Sequence, residues 1–299
     1  MSKTVLITGG TGLIGQVITN QLVKNGHNVH ILTRDDREST TQIQYFHWDV
    51  KNKSIQADAF TGITHAIHLA GASIAKRWTD DFKQTIIDSR VKTAAFLFEK
   101  MKEHEVKLEA FVSASASGYY LANTGALQTE EDTAGNNFLS TVCKAWEQAA
   151  EPFHELAERV VIHRIGVVLD KDGGALEKML PPFQFHLAPY FGNGNMFYPW
   201  VHIEDVANQF VHAVETPISG VFNANTGNVT QKELNKAIAT AMNKNVLHVP
   251  TPIIALKLAL GDMHQIVTDS LQMSPSKIRT TGFEPRFAEL LPALQDIVG

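Results

Sequence analysis

Four glycines fall within seven positions near the start of the chain: Gly9, Gly10, Gly12 and Gly15. The run Thr8-Gly9-Gly10-Thr11-Gly12-Leu13-Ile14-Gly15 satisfies GxGxxG through Gly10, Gly12 and Gly15, and GxxGxxG through Gly9, Gly12 and Gly15. Each position has a physical task. A sharp turn with φ > 0 suits a residue without a Cβ. A missing side chain lets the backbone approach a pyrophosphate, and a glycine at Gly15 lets a helix pack closely on a sheet. The helix that follows presents free N–H groups to phosphate oxygens. The run comes directly after an apolar β-rich segment, Thr4–Thr8, and opens a segment of helical periodicity, Leu13–Lys24. A strand–glycine loop–helix order is the context that turns the motif into a dinucleotide-site prediction, with Gly9, Thr11, Gly12, Leu13, Ile14 and Gly15 as the expected contacts.

The end of the next β-rich segment selects the dinucleotide. NAD sites usually place an acid there for the ribose hydroxyls. Here the residues are Ile31-Leu32-Thr33-Arg34, so Thr33 and Arg34 are the expected contacts. A guanidinium bridges a 2′-phosphate through two N–H donors, whereas a carboxylate would repel it. Asp35 and Asp36 follow one residue late and remain within reach of a ribose. The expected cofactor is therefore NADP(H).

These residues need a frame to hold them. Candidate strands are Thr4–Thr8, Asn28–Thr33, Ile43–His47, His65–Leu69, Ala110–Ser113, Arg159–Ile165 and Gly220–Asn223. Most are continuous apolar runs, as in a parallel sheet buried on both faces. Helical periodicity lies between them at Leu13–Lys24, Asp80–Glu103, Leu139–Ala157 and Ile203–Val214. The alternation predicts an α/β fold, a Rossmann-type doubly wound parallel sheet with a smaller C-terminal α+β lobe. Residues 1–170 plus 200–226 are assigned to the nucleotide-binding domain, and 171–199 plus 227–299 to the smaller capping lobe. Gly173-Gly174, Pro181-Pro182, Pro189, Gly192 and Gly194 make the stretch to Pro199 look loop-rich. Its aromatics, Phe183, Phe185, Tyr190, Phe191, Phe197 and Tyr198, either line a substrate pocket or form the core joining the lobes. The tail reads as helical, with Thr230-Gln231-Lys232-Glu233 fitting a capping box and Pro250, Pro252 and Pro275 dividing it into short pieces.

Composition narrows the function classes. The 299 residues carry a formal net charge of −5 with no basic tract, which argues against nucleic acid or an anionic membrane as partner. Cys143 is the one cysteine, so no intramolecular disulfide forms, in keeping with a reducing compartment. No secretory signal or bilayer-length apolar run is seen, so a cytoplasmic location is expected. No metal motif is present. His65 and His68 stand three apart on a strand and point to opposite faces, which rules out their chelating one ion. The partner expected is a small-molecule substrate, with the chain a monomer or homodimer.

The glycine loop, His68-Leu69-Ala70-Gly71, Phe111-Val112-Ser113-Ala114-Ser115-Ala116-Ser117-Gly118-Tyr119 and Trp200-Val201-His202-Ile203-Glu204-Asp205-Val206 together resemble the extended, or atypical, short-chain dehydrogenase/reductase superfamily. Arg77-Trp78-Thr79, Lys83, Ser89-Arg90, Gly118-Tyr119-Tyr120, Trp146-Glu147, Leu260-Gly261-Asp262-Met263, Leu271-Gln272 and Gly282-Phe283 narrow the resemblance to its "epimerase family" of NADP-dependent oxidoreductases, over essentially the whole chain. The resemblance implies that Leu69, Ala70 and Gly71 line the adenosine side. It also implies that Ser115 is a substrate-side hydroxyl and that Arg90, on the long helix, lies near the cofactor ribose and phosphates. Lys83, seven residues before Arg90, shares its helix face. Lys76 and Arg77 precede that helix and could meet an anionic substrate or the cofactor phosphate.

One departure bears on the reaction. In the superfamily the tyrosine of Tyr-x-x-x-Lys exchanges a proton with substrate, while the lysine lowers the tyrosine pKa and binds the nicotinamide ribose. The best match here is Ser140-Thr141-Val142-Cys143-Lys144, with serine at the tyrosine position. A serine hydroxyl is far less acidic than a phenol near pKa 10. Three readings follow. The acid/base has moved to Tyr119 or Tyr120; or Lys144 keeps its ribose role or serves as base; or the protein binds NADP(H) without transferring hydride. The candidate catalytic set is Ser115, Tyr119 and Lys144. The function expected is an NADP(H)-dependent oxidoreductase or nucleotide-sugar-epimerase-like enzyme of unknown substrate; the alternative is a non-catalytic NADP(H)-binding sensor or interaction protein. His202 reads as mainly structural, and Cys143 as either thiolate-prone beside Lys144 or simply a buried apolar residue.

Overall fold

Eight strands form the main sheet of the computed structural model, which describes residues 2–299. They are β1 (Thr4–Thr8), β2 (Asn28–Thr33), β3 (Ile43–Asp49), β4 (Ser54–Ile55), β5 (His65–His68), β6 (Leu108–Ala116), β7 (Ala157–Ile165) and β8 (Gly220–Ala224). Across the sheet they run β8-β7-β6-β5-β1-β2-β3-β4. Every neighbouring pair is parallel except β3 with the short edge strand β4. The chain leaves β1 outward through β2 and β3, then returns to place β5 on the other side of β1. That reversal opens a crevice beyond the carboxyl ends of β1 and β5, where ligands of such sheets bind.

Side-chain alternation divides the core between the two faces. Val5, Ile7, Val112 and Val161 point toward α1 (Leu13–Lys24) and α5 (Ile203–Glu215), packing with Ile18, Leu22 and Phe210. Their neighbours Leu6, Phe111 and Ile162 point the other way, toward α2 (Asp80–Glu103) and α3 (Phe138–Ala150), with Leu97, Met101 and Phe153. A strand buried on both faces must be apolar at successive positions, which is why these segments read as unbroken hydrophobic runs. The helix expected over Leu139–Ala157 ends earlier, at Ala150; Glu151–Glu155 is a 3-10 turn carrying Pro152, and β7 begins at Ala157.

The segment to Pro199 is more ordered than its glycines and prolines suggest. It contains α4 (Gly174–Gln184) and the strands Leu187–Phe191 and Phe197–His202. Pro181 and Pro182 lie within the last turns of α4, where each removes a backbone donor, but Leu176 and Phe183 are buried and anchor the helix. Leu187–Phe191 pairs in parallel with Leu247–Thr251, a strand inside the tail expected to be helical. Phe197–His202 pairs with Val167–Leu169 and with Gly227–Thr230. Thr230 and Glu233 form the capping box at the start of α6 (Gln231–Ala241). Phe183 and Tyr198 belong to the smaller lobe's core with Leu234, Ile238, Leu294 and Ile297, whereas Phe185 is exposed. Ile278 and Phe283, far along the tail, pack into the core of the α1/α5 face of the large sheet. No helix among the described residues is long and apolar enough to cross a membrane.

Candidate functional site

The glycine loop sits in the β1–β5 crevice. Gly9 has φ of +73°, and a Cβ there would lie 2.9 Å from the carbonyl carbon of Leu69, so the turn requires glycine on two counts. A Cβ on Gly15 would stand 2.3 Å from the Gly9 carbonyl oxygen, so α1 meets its own loop with no room for a side chain. The Gly12 N–H donates to Gly9 O at 3.0 Å and closes the turn. Gly12 caps α1 with no side-chain hydrogen bond, and no acid occupies the first turn. The amides of Leu13, Ile14 and Gly15 therefore lack intrahelical partners, at the positive end of the helix dipole. The Gln16 side chain donates to Thr11 O at 2.7 Å and steadies the loop from behind.

A buried polar clamp joins the two strand ends. The Thr8 hydroxyl lies 2.8 Å from His68 Nδ1 and accepts from the Ala70 N–H at 3.3 Å, while Leu69 N–H donates to Thr8 O. Arg90 O can only accept, so the neutral ring carries its proton on Nε2 and His68 Nδ1 accepts from the Thr8 hydroxyl. The His68 Nε2–H then faces Arg90 O at 3.4 Å. Burial pushes the His68 pKa down to about 4, so the ring is neutral. Leu69, Ala70 and Gly71 emerge from this clamp at the crevice opposite the glycine loop.

At the end of β2, Thr33 is buried and its hydroxyl accepts from the Asp35 N–H at 3.2 Å. Arg34 is exposed and makes no hydrogen bond or ion pair among the described residues; Asp35 and Asp36 beside it are exposed too. On α2, Lys83 and Arg90 share a helix face but make separate contacts. Lys83 donates to Asp262 Oδ2 at 2.6 Å and ties the helix to the tail. Arg90 lies against Gly71 and donates to Ala72 O at 3.2 Å and Ile86 O at 2.9 Å.

The candidate catalytic trio is not brought together. Ser115 and Tyr119 lie at the carboxyl end of β6, but Lys144 is exposed and has no partner among the described residues. Ser140, the supposed tyrosine equivalent, is buried and donates to Gly118 O at 3.0 Å and Asn137 Oδ1 at 3.0 Å, a helix-start role. The stripe of α3 that meets the end of β6 carries Leu139 and Cys143 instead, and Gly118 lies against both. Reading the motif one residue late accounts for the difference, because each step turns a helix by about 100°. Burial, reinforced by the nearby Glu147 carboxylate, pushes the Cys143 thiol up to about 12, so it is neutral and not thiolate-prone.

Beneath Ser115 the structure adds residues that the sequence did not single out. The buried Ser115 hydroxyl donates to Glu147 Oε1 at 2.6 Å, and Arg164 grips both oxygens of that carboxylate at 2.9 Å. Arg164 Nη1 also donates to Tyr120 Oη at 3.0 Å, and Tyr120 donates to Asn223 Oδ1 at 2.6 Å. Burial pushes the Tyr120 phenol up to about 12, and its proton is committed to Asn223, which removes Tyr120 from the acid/base candidates. Tyr119 differs: its ring lies 3.4 Å from the Arg164 guanidinium carbon, half-buried, and its hydroxyl has no hydrogen-bond partner among the described residues. The available signal for the network was an arginine inside a buried apolar strand. His202 caps α5 through Nδ1, and buried Asp205 accepts from the Arg286 and Phe287 amides, so that segment anchors the tail.

Comparison with known proteins agrees with this architecture. Residues 5–224 match the NAD dependent epimerase/dehydratase family, and residues 251–297 match a domain of unknown function, DUF1731. The chain is 37% identical over 299 residues to an epimerase family protein of Staphylococcus saprophyticus, covering 99% of each. It is 34% identical over 301 residues to one of Staphylococcus aureus, again covering 99% of each. Among solved structures it is similar to human epimerase family protein SDR39U1 (isoform 2) with NADPH, at 28% identity and a TM-score of 0.89 over 99% of both chains. A nucleoside-diphosphate sugar epimerase from Corynebacterium glutamicum is also similar, at 28% identity and a TM-score of 0.79, over 100% of this chain and 59% of that one.

Proposed function

This chain belongs to the NAD-dependent epimerase/dehydratase family, and from that premise we propose that it binds NADP(H) in the β1–β5 crevice and acts as an oxidoreductase whose proton donor is Tyr119. The observation that carries the reading is the uncapped start of α1, packed without side chains against the Gly9 turn. That cradle fits a dinucleotide: Leu13, Ile14 and Gly15 would hold the pyrophosphate through their amides, Leu69–Gly71 the opposite wall and Arg34 the 2′-phosphate. Arg34 has no partner to give up among the described residues, which favours the phosphorylated cofactor. NADPH in the similar human structure supports the same choice.

When bound, the nicotinamide carries the hydride chemistry. The protein's part is proton transfer and orientation. Ser115 is fixed by Glu147, its proton directed inward and its oxygen lone pairs left to accept. The Tyr119 ring is held by Arg164 with its hydroxyl free, at the same strand end. A second reading, a non-catalytic NADP(H) binder, draws on Leu139 and Cys143, which put neither an acid nor a base on the stripe of α3 that meets this strand end.

The test is binding followed by turnover. Purified protein is titrated with NADPH, then assayed with NADPH against carbonyl compounds and nucleotide sugars. Turnover that Tyr119→Phe abolishes supports the oxidoreductase. Tight binding with no turnover across the panel favours the second reading, and absence of NADPH binding removes both.

A further inference from the structure

Six of the eight large hydrophobic residues exposed among the described residues belong to one small unit. Phe185, Leu187 and Leu247 lie at one end of the two-stranded ladder of the smaller lobe. Ile253, Ile254 and Leu258 lie on the helix that follows the ladder, α7 (Ile253–Leu260). The strand pairing joins the two groups. Leu187 stands opposite Leu247 and Phe191 opposite Thr251, so the face that carries the leucines continues through Pro189, Phe191 and Val249. The buried Ala188 points the other way, into the lobe's core. Pro252 connects the ladder to α7, and the Ile253 side chain lies against Gly192, just past Phe191, where an added Cβ would be 3.2 Å from it.

The composition of α7 makes this exposure costly. Its sequence is Ile-Ile-Ala-Leu-Lys-Leu-Ala-Leu, and none of these residues is buried. A helix that is apolar all round belongs in an interior. Ile254 and Leu258, one turn apart on a shared face, are 73% and 78% exposed. The outer surface of α2 is different, since it shows water the ion pairs Lys92–Asp88 and Lys100–Glu103. At roughly 200 Å² for each such residue when fully exposed, the six present on the order of 700 Å². That exceeds the roughly 300–600 Å² of the largest apolar patch on a typical monomer. It approaches the about 800 Å² that each partner contributes to a standard protein interface.

Charge selects the occupant. Lys257 is the one charged residue on α7, and neither strand of the ladder carries any. A different protein partner is usually chosen by complementary charge, and this patch offers none to read. A helix lying on a membrane needs a broad basic or polar face, which α7 lacks. Two copies of the patch can meet with no array of like charges between them, and the long stem of Lys257 can carry its ammonium out to water.

We propose that α7 and the outward face of the Leu187–Phe191/Leu247–Thr251 ladder form the contact between two copies of this chain, in a twofold dimer. A twofold contact uses the same patch on both copies. The two patches together bury about 1,400 Å², within the range of stable interfaces. Beyond α7 the chain passes through Gly261 to Asp262, which accepts from Lys83 on α2, and to Met263 and Ile266, which pack beside Trp78 and Val142. The dimer contact therefore braces the tail where it crosses the starts of α2 and α3. The proposal is independent of the cofactor reading.

Sedimentation velocity of the full chain, from low to high micromolar concentration, tests it. Wild type should sediment as a dimer. Leu258→Glu should raise the dimer dissociation constant at least about 100-fold, because twofold symmetry buries two unpaired carboxylates per dimer. Leu127→Glu, at an exposed leucine outside the patch, should leave the dimer intact. Circular dichroism checks that each variant is folded, and Leu247→Lys replaces Leu258→Glu if that variant is not. Wild type that stays monomeric at high micromolar concentration overturns the proposal, as does a dimer that survives both Leu258→Glu and Leu247→Lys. Monomeric wild type that co-sediments with phosphatidylcholine/phosphatidylglycerol vesicles through Leu258 overturns it in favour of a membrane surface.

Discussion

Replacing Glu147 by alanine should be among the most damaging single changes in the molecule. The carboxylate accepts from Ser115 at 2.6 Å and from Arg164 Nε and Nη2 at 2.9 Å each. Both partners of the ion pair are shielded, with the Arg164 side chain 4% and the Glu147 side chain 11% exposed. Truncation would strand the guanidinium with Tyr120 Oη and Glu130 O as its remaining acceptors. Breaking one side of a buried pair costs about 3–5 kcal/mol. For a protein of this size that corresponds to a fall in melting temperature of roughly 5–8 °C. Removing both charges in Glu147→Ala/Arg164→Met should cost clearly less than the sum of the two singles, because no orphan charge remains. Urea unfolding of the four proteins measures the cycle. A Glu147→Ala loss below about 1 kcal/mol, the range of surface pairs, or strictly additive singles, would refute the reasoning.

Gly15→Ala should cost about 1–3 kcal/mol through overpacking, since its Cβ would lie 2.3 Å from Gly9 O, and it should abolish NADPH binding in a fluorescence titration. Lys144→Ala should leave stability within about 0.5 kcal/mol and leave NADPH affinity unchanged, as for other exposed, unpartnered side chains. Burial pushes His65 and His68 down to about 4 and His163 down to about 3. The unfolded chain binds these protons near pH 6.5, so it takes up more protons than the folded state below that pH. Stability should therefore be fully present above about pH 6.5 and fall toward pH 4, by up to about 1.4 kcal/mol per pH unit for each histidine. His163 sits between Phe210 and Phe222 with neither ring nitrogen partnered by a side chain. His163→Leu should flatten that pH profile in urea melts, and an unchanged slope would show that His163 titrates normally.

Much of the frame was legible because local rules and tertiary demands coincide there. Thr4–Thr8, Asn28–Thr33, Leu13–Lys24 and Asp80–Glu103 have the same limits in sequence and structure. Each is an apolar run or a periodic helix whose pattern is dictated by the face it buries. α4 was hidden because Pro181 and Pro182 disguise a helix that Leu176 and Phe183 hold by burial. The strand Leu247–Thr251 was hidden because its partner, Leu187–Phe191, lies sixty residues away and because each strand carries a proline, Pro250 and Pro189. At the site, the glycine loop could be read from spacing alone. Lys144 could not be placed, because a one-residue shift along a helix separates a crevice-facing position from an exposed one. Glu147, Arg164 and Asn223 converge from α3, β7 and β8, and no spacing along the chain announces a network closed only by parallel strand pairing.

The central claim is that the glycine loop and Arg34 together make an NADP(H) site. Calorimetric titration with NADPH and with NADH, on wild type and Arg34→Ala, tests it most directly. NADPH should bind wild type tighter than NADH by at least about tenfold, the contribution of a charged hydrogen bond to the 2′-phosphate. Arg34→Ala should bring NADPH down toward NADH and leave NADH unchanged. Equal affinity for the two dinucleotides in wild type, or an NADPH affinity indifferent to Arg34→Ala, would contradict the account.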